Sequence, residues 1–420
     1  MMGADMQNPI KKLKTPTDNA NKKSPERPLR PMESIPGGYF SALSDGYRKA
    51  AQIFCIVLVL FFLLTLLFNS KLLTYTNFNY LLRDLDAAAD LASDNYNSIS
   101  YTNDELRVTA NYRGGIITAS TTDMTIYTAT GKKSLYLNES FVAPSVAVSK
   151  KYALVYDLGG NHFSVYNSFA KVFEKNFDYA ISSACASDSG WFSVVSKDES
   201  HTAVVYVYDK NFNLRSTYSF GSRYVFHSAI NARGDRIAVV TVESDGDRYR
   251  TVLAMWEPGK EEKRYEIAVG EALPCGIGFM ENGALAVLCT DGISYYDENS
   301  GKCLNTYSFE GKKPGRFSMT KSGCALAIPE NHAGIVDNLI FVFDKNGKMI
   351  YNTIVPGGML DMAFSGNSLY INQSTSIKKI NIKNGAQTVQ KISESGTKLI
   401  VYNDGNLLLC CQTKAKYIKM

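Results

Sequence analysis

Histidines, cysteines and carboxylates are the side chains here that could do chemistry, and their spacing supplies no constellation for it. The four histidines, His162, His201, His227 and His332, are scattered, with no cysteine or carboxylate at ligand spacing. A zinc site needs three or four converging ligands, so they read as isolated turn or surface residues. Of the eight cysteines, Cys55 lies in an apolar run and seven lie beyond it, mostly inside strand patterns where a small apolar residue packs well. Neighbours in a strand point to opposite faces, so Cys410 and Cys411 read as two free thiols rather than a strained vicinal disulfide. The densest acidic stretch, Glu243-Ser244-Asp245-Gly246-Asp247, lacks the distant bidentate glutamate of a calcium loop and reads as a solvated hairpin turn. No G-x-S-x-G elbow, phosphate-binding loop or H-E-x-x-H occurs. The expectation is a non-enzymatic protein with no catalytic residue, no metal ligand and no cofactor.

What must be positioned is therefore a surface, and the chain is organised around one apolar stretch. Residues 50–68 read AAQIFCIVLVLFFLLTLLF, and no charge occurs between Lys49 and Lys71. At 1.5 Å per residue, about 20 such residues cross the ~30 Å hydrocarbon layer. The 49 residues before it carry nine basic and five acidic residues, which orients them to the cytoplasm and the remainder outside the plasma membrane. The leader and core are long and NSKLLTYTN offers no small-x-small cleavage site, so a retained single-pass signal anchor is expected. The whole chain is +5, and the tail accounts for nearly all of that excess. The nearly neutral remainder argues against nucleic acid as a partner.

Four segments follow. Residues 1–49 form a proline-rich basic tail with too few large apolar residues to offset the entropy of ordering, so disorder is expected. Residues 50–70 form the transmembrane helix. Residues 71–95 carry apolar residues at helical spacing, with Asn77 placed to cap them, and read as an amphipathic stalk helix. Residues 96–420 change to short β-branched and aromatic runs separated by Gly, Asn, Asp and Ser, an all-β pattern.

That pattern repeats. A strand ending in a bulky residue, a polar turn and another strand recur with anchors Tyr127, Tyr166, Tyr208, Trp256, Tyr296, Phe343, Ile380 and Ile418. A second phrase, two strands joined by a tight turn such as AINARGDRIAVV, precedes the first. Four strands in roughly 40 residues is the period of a propeller blade. The eighth copy ends at Met420 without a last strand, and the unassigned stretch Tyr96 to Thr102 stands ready to supply it. An eight-bladed β-propeller closed by its N-terminal side is expected; seven blades is the alternative.

The run YALVYDLGGNHFSVYN, residues 152–167, resembles an uncharacterised family of single-pass, membrane-anchored propeller proteins of Gram-positive bacteria, and the order of tail, span, stalk and repeats fits it over nearly the whole length. The resemblance implies localisation and fold, not an activity. The turns DKNGK at Asp344–Lys348 and DENSGK at Asp297–Lys302 also resemble quinoprotein-type repeats, with Tyr351 and Tyr307 where a docking Trp would stand. Most of the 26 Tyr and 21 Phe residues fall on the repeat period as core. Those in turns, Phe169, Phe212, Tyr224 and Phe226, together with Asp157 and Asn161 of the LGGN turn, are candidates for an interaction rim. The functional expectation is a cell-envelope module that binds an envelope protein or wall component. The alternatives are a transmembrane sensor or assembly factor, and a quinoprotein-like oxidoreductase.

Overall fold

Repeated β-branched runs broken by Asp, Asn and Gly leave the chain few options but short antiparallel strands joined by tight turns. A computed structural model describes residues 37–68, 98–128, 130–332, 335–402 and 406–420. The proposed stalk, residues 71–95, lies outside them. In the N-terminal unit one helix runs Gly37–Phe68. It begins inside the stretch expected to be a disordered tail, because a hydropathy reading marks only the apolar core of a helix and not its polar first turns. Within it Ser44–Thr65 is long and apolar enough to cross a membrane, and the Thr65 hydroxyl donates to the Phe61 carbonyl at 2.8 Å.

The second unit is an eight-bladed propeller of four-stranded antiparallel meanders. Blade 1 spans 108–137, blade 2 144–176, blade 3 183–220, blade 4 224–270, blade 5 274–308, blade 6 316–356 and blade 7 361–391. Blade 8 takes three strands from 398–419 and its fourth from Ile99–Ser100, which pairs Ile99 with Ala415 and Ser100 with Lys414. The chain thus closes its ring as the truncated eighth repeat requires. The seam is reinforced by Tyr101, whose N–H reaches the Thr413 carbonyl at 3.0 Å and whose hydroxyl donates to the Cys411 carbonyl at 2.7 Å.

First strands of successive blades lie side by side around the axis, those of blades 5 and 6 less closely than the rest. Buried apolar side chains gather into eight clusters, each filling one junction between neighbouring blades. All eight repeat anchors, Tyr127 through Ile418, are buried in these junctions. Each such large side chain contributes about 1.5–3 kcal/mol by leaving water, so the aromatic periodicity in the sequence is the periodicity of the core.

The turns after the third strands recur too. At Asp209 the carboxylate accepts the N–H groups of Asn211 (2.8 Å) and Asn213 (3.0 Å). Asp344 does the same for Asn346 and Lys348, both at 2.9 Å. These short polar side chains satisfy the turn's own donors.

Candidate functional site

A meander puts its first and third turns on one side of the ring and its second turns, with the links between blades, on the other. We call these the lower and upper faces. The sequence-derived rim residues divide between them. Phe169 and Phe212 lie in third turns of blades 2 and 3, on the lower face. Phe212 has a positive φ of 68° that turns its ring back onto Phe173, stacked at 5.3 Å and 10°; it is packing, not rim. Asp157 and Asn161 share the second turn of blade 2 on the upper face. There Asp157 is buried and accepts the N–H groups of Val142 (2.7 Å) and Ala143 (3.1 Å), so it ties the incoming link to the blade.

Tyr224 and Phe226 are brought together. Both lie at the upper end of the first strand of blade 4, with 64 % and 39 % of their surface exposed. Phe226 is the extra residue of a β-bulge, since Val225 pairs with Thr241 and His227 with Val240. A bulge re-aims the side chain it carries. Blade 5 has the same device at Cys275, between the Pro274–Cys289 and Gly276–Leu288 pairs. No other first strand among the described residues is bulged. Exposed Leu273 enters blade 5 beside them. Exposed Phe317 on blade 6 lies where a Cβ on Gly276 would come within 3.1 Å of its ring.

Two hairpins rise on the same face. The middle strands of blade 4, Ile237–Asp245 and Arg248–Trp256, and of blade 6, Gly323–His332 and Ile335–Asp344, outrun Ala284–Cys289 of blade 5 by three or four residues, about 10 Å at 3.3 Å per residue. Blade 5 is therefore a low sector between two walls, with an aromatic mouth at its inner end. The acidic stretch of the sequence lies on the blade 4 wall. Glu243 is held there by Arg223 (2.5 Å) and Arg250 (3.5 Å), which makes it part of the hairpin's bracing.

On the lower face the channel ends in a cavity of about 360 Å³ lined by residues of blades 2 to 6, among them Ala147, Ala184, Ser228, Gly278 and Phe279. Asp188 of blade 3 and Lys321 of blade 6 form an ion pair at its rim, and Lys150 approaches Asp188 at 3.7 Å. Burial alone would raise the Asp188 pKa, but its bonds to Lys321 and to the Lys150 backbone outweigh that and hold it below the usual range. The eight cysteines are unbridged; Cys185 lines this cavity. Trp256 stacks on Tyr218 at 4.6 Å, and Trp191 packs into the same junction of blades 3 and 4. Both tryptophans belong to the packing of that junction.

His162 and His201 each meet a carboxylate, contrary to their reading from spacing. His201 Nδ1 lies 2.9 Å from Asp198 in the second turn of blade 3. His162 meets Glu139 at 3.0 Å and Glu174 at 3.9 Å. Burial works against the His162 imidazolium, but Asn176 and Glu139 outweigh it and raise its pKa above the ordinary value. The partners of His162 come from an interblade link and an adjacent strand, which sequence spacing does not register. His227 is partly buried, and its burial lowers its pKa. His332 ends its strand on the blade 6 wall.

No curated protein matches the chain. Among solved structures it is similar to the computationally designed Ika8 protein (11 % identity, TM-score 0.58, covering 77 % of this chain and 99 % of that one). It is also similar to the C-terminal WD40 domain of Sif2 (10 %, 0.54, 77 % and 99 %) and to a eukaryotic initiation factor (13 %, 0.51, 76 % and 85 %). At such identities these likenesses describe the fold. Residues 92–420 match a family model described as a family of unknown function, DUF5711. The chain belongs to that family.

Proposed function

We propose that this chain is a single-pass membrane protein of the Gram-positive cell envelope whose extracytoplasmic propeller binds an envelope protein without catalysing a reaction. The observation that carries the reading is the bulged pair Tyr224 and Phe226, exposed at the channel mouth between two raised hairpins. Aromatic side chains supply much of the energy of interfaces when desolvated, and a bulge that turns one toward water does nothing for the core. The basic bias before the apolar helix supports an N-terminus in the cytoplasm. The near-neutral propeller favours recognition by shape and apolar contact over long-range steering.

The test is crosslinking on whole cells that express C-terminally tagged protein, followed by capture from solubilised membranes. Wild type should trap a defined envelope protein, and the Tyr224→Ser, Phe226→Ser double variant should lose it while keeping its thermal transition. Capture unchanged by the double substitution would defeat the reading, as would catalytic turnover by the purified protein.

A further inference from the structure

We infer that Glu139, His162 and Glu174, between blades 1 and 2, form a binding site for a divalent transition-metal ion of the zinc class. His162 Nε2 and one oxygen of each carboxylate lie within 4.8 Å of one another. Tetrahedral zinc with bonds of about 2.0–2.2 Å holds its donor atoms roughly 3.3 Å apart. The two separations measured from His162 Nε2, 3.0 Å to Glu139 and 3.9 Å to Glu174, bracket that value.

The imidazole is set up for it. Asn176 Oδ1 lies 2.9 Å from His162 Nδ1, and a carbonyl oxygen can only accept. Nδ1 therefore donates to Asn176, which leaves Nε2, 3.0 Å from Glu139, as the ring nitrogen that would ligate a metal in exchange for its proton. A second partner that fixes the tautomer in this way is what metal-ligating histidines have. Glu139 is fixed as well: the Tyr166 and Ser164 hydroxyls donate to it, and Tyr166 is fully buried.

Charge points the same way. Two carboxylates converge here, and besides His162 the Lys171 ammonium bridges them, 3.2 Å from Glu139 and 2.8 Å from Glu174. Lys171 comes from the outer strand Lys171–Asn176 and is about one-third exposed, so its flexible side chain can swing to solvent. Its ammonium covers the position between the carboxylates. A divalent ion there would neutralise both, and would staple the link that carries Glu139 to the outer strand of blade 2.

The experiment is titration of the full-length protein in detergent with Zn²⁺, and with Co²⁺ for its visible tetrahedral absorption, after exposed thiols are blocked by alkylation. Wild type should bind one equivalent with a tetrahedral Co²⁺ spectrum. Lys171→Met, which removes the competing ammonium, should bind at least about tenfold more tightly, whereas Asn176→Ala should weaken binding by about 10–100-fold. His162→Gln and Glu174→Gln should abolish the spectrum; Glu174 is half exposed, so its variant tests the site even if the histidine variant folds poorly. Equal binding by wild type and Glu174→Gln, or no gain in Lys171→Met, would overturn the site.

Discussion

Asp188 and Lys321 form an ion pair at the channel rim although they belong to blades 3 and 6. The pair links first turns that are not neighbours in the ring, and it caps the cavity that Cys185 lines. Lys321 is half exposed, so solvent screening keeps the contribution to stability within about 1 kcal/mol. Asp188→Ala should leave the melting temperature almost unchanged and speed maleimide labelling of Cys185 several-fold, with buried Cys324 unlabelled in both proteins. Equal labelling rates would show that the pair does not gate the cavity.

Ring closure rests on a short strand. Ile99 is fully buried in the junction of blades 8 and 1, so Ile99→Ala should destabilise the propeller by about 2–5 kcal/mol. Deleting residues 98–102 should do more, because it bares an unpaired edge on the third strand of blade 8 and invites aggregation. Denaturant unfolding and light scattering check both. A deletion variant as stable and as monomeric as the parent would refute closure by this strand.

Acid should act through Asp209. Burial by itself would raise its pKa, but the Asn213 N–H, the Arg215 guanidinium and the Asn211 N–H hold it below the ordinary carboxylate value. A carboxyl depressed in the folded state stabilises fully above its unfolded pKa, about 3.9, and loses that contribution as the pH falls through the folded value. Asp209→Asn should therefore be less stable than wild type near neutral pH, and the difference should shrink below about pH 4. Thermal melts across that range give the comparison; a constant difference would assign the loss to geometry instead of charge.

Two glycines separate strain from packing. Gly347 and Gly385 have φ of 79° and 71°. A Cβ on Gly347 would come within 2.5 Å of the buried Tyr295 ring, while one on Gly385 meets nothing within 4 Å. Gly385→Ala should cost the left-handed strain alone, about 1–2 kcal/mol. Gly347→Ala should cost that and the displacement of Tyr295 besides. Equal losses in melting temperature would mean that the ring moves freely.

The fold was legible in the sequence because each blade repeats the same local bargain of buried anchor and polar turn. The absent strand after residues 414–419 could be matched to the spare extended stretch before the first repeat by counting. Side-chain direction was not legible. Phe212 and Phe226 look alike as turn aromatics, yet a positive φ folds one into a junction and a bulge turns the other outward. Nor were the contacts between Glu139 and His162, or between Asp188 and Lys321, since each exists only once separate segments have been brought together. The polar start of the helix at Gly37 escaped for a simpler reason: hydropathy responds to side chains and not to backbone hydrogen bonding.

The closing strand also sets a schedule. Ile99 pairs with Ala415, a residue made roughly 300 positions later. At translation rates of about 5–20 residues per second, that is a wait of roughly 15–60 seconds. Blades 1 to 7 are complete in sequence before their ring can shut, so until then the nascent domain is an open arc with an uncovered junction at each end. A chaperone that shields such edges would matter most during that interval, and a ribosome stalled near the C-terminus would leave an almost whole protein unlatched.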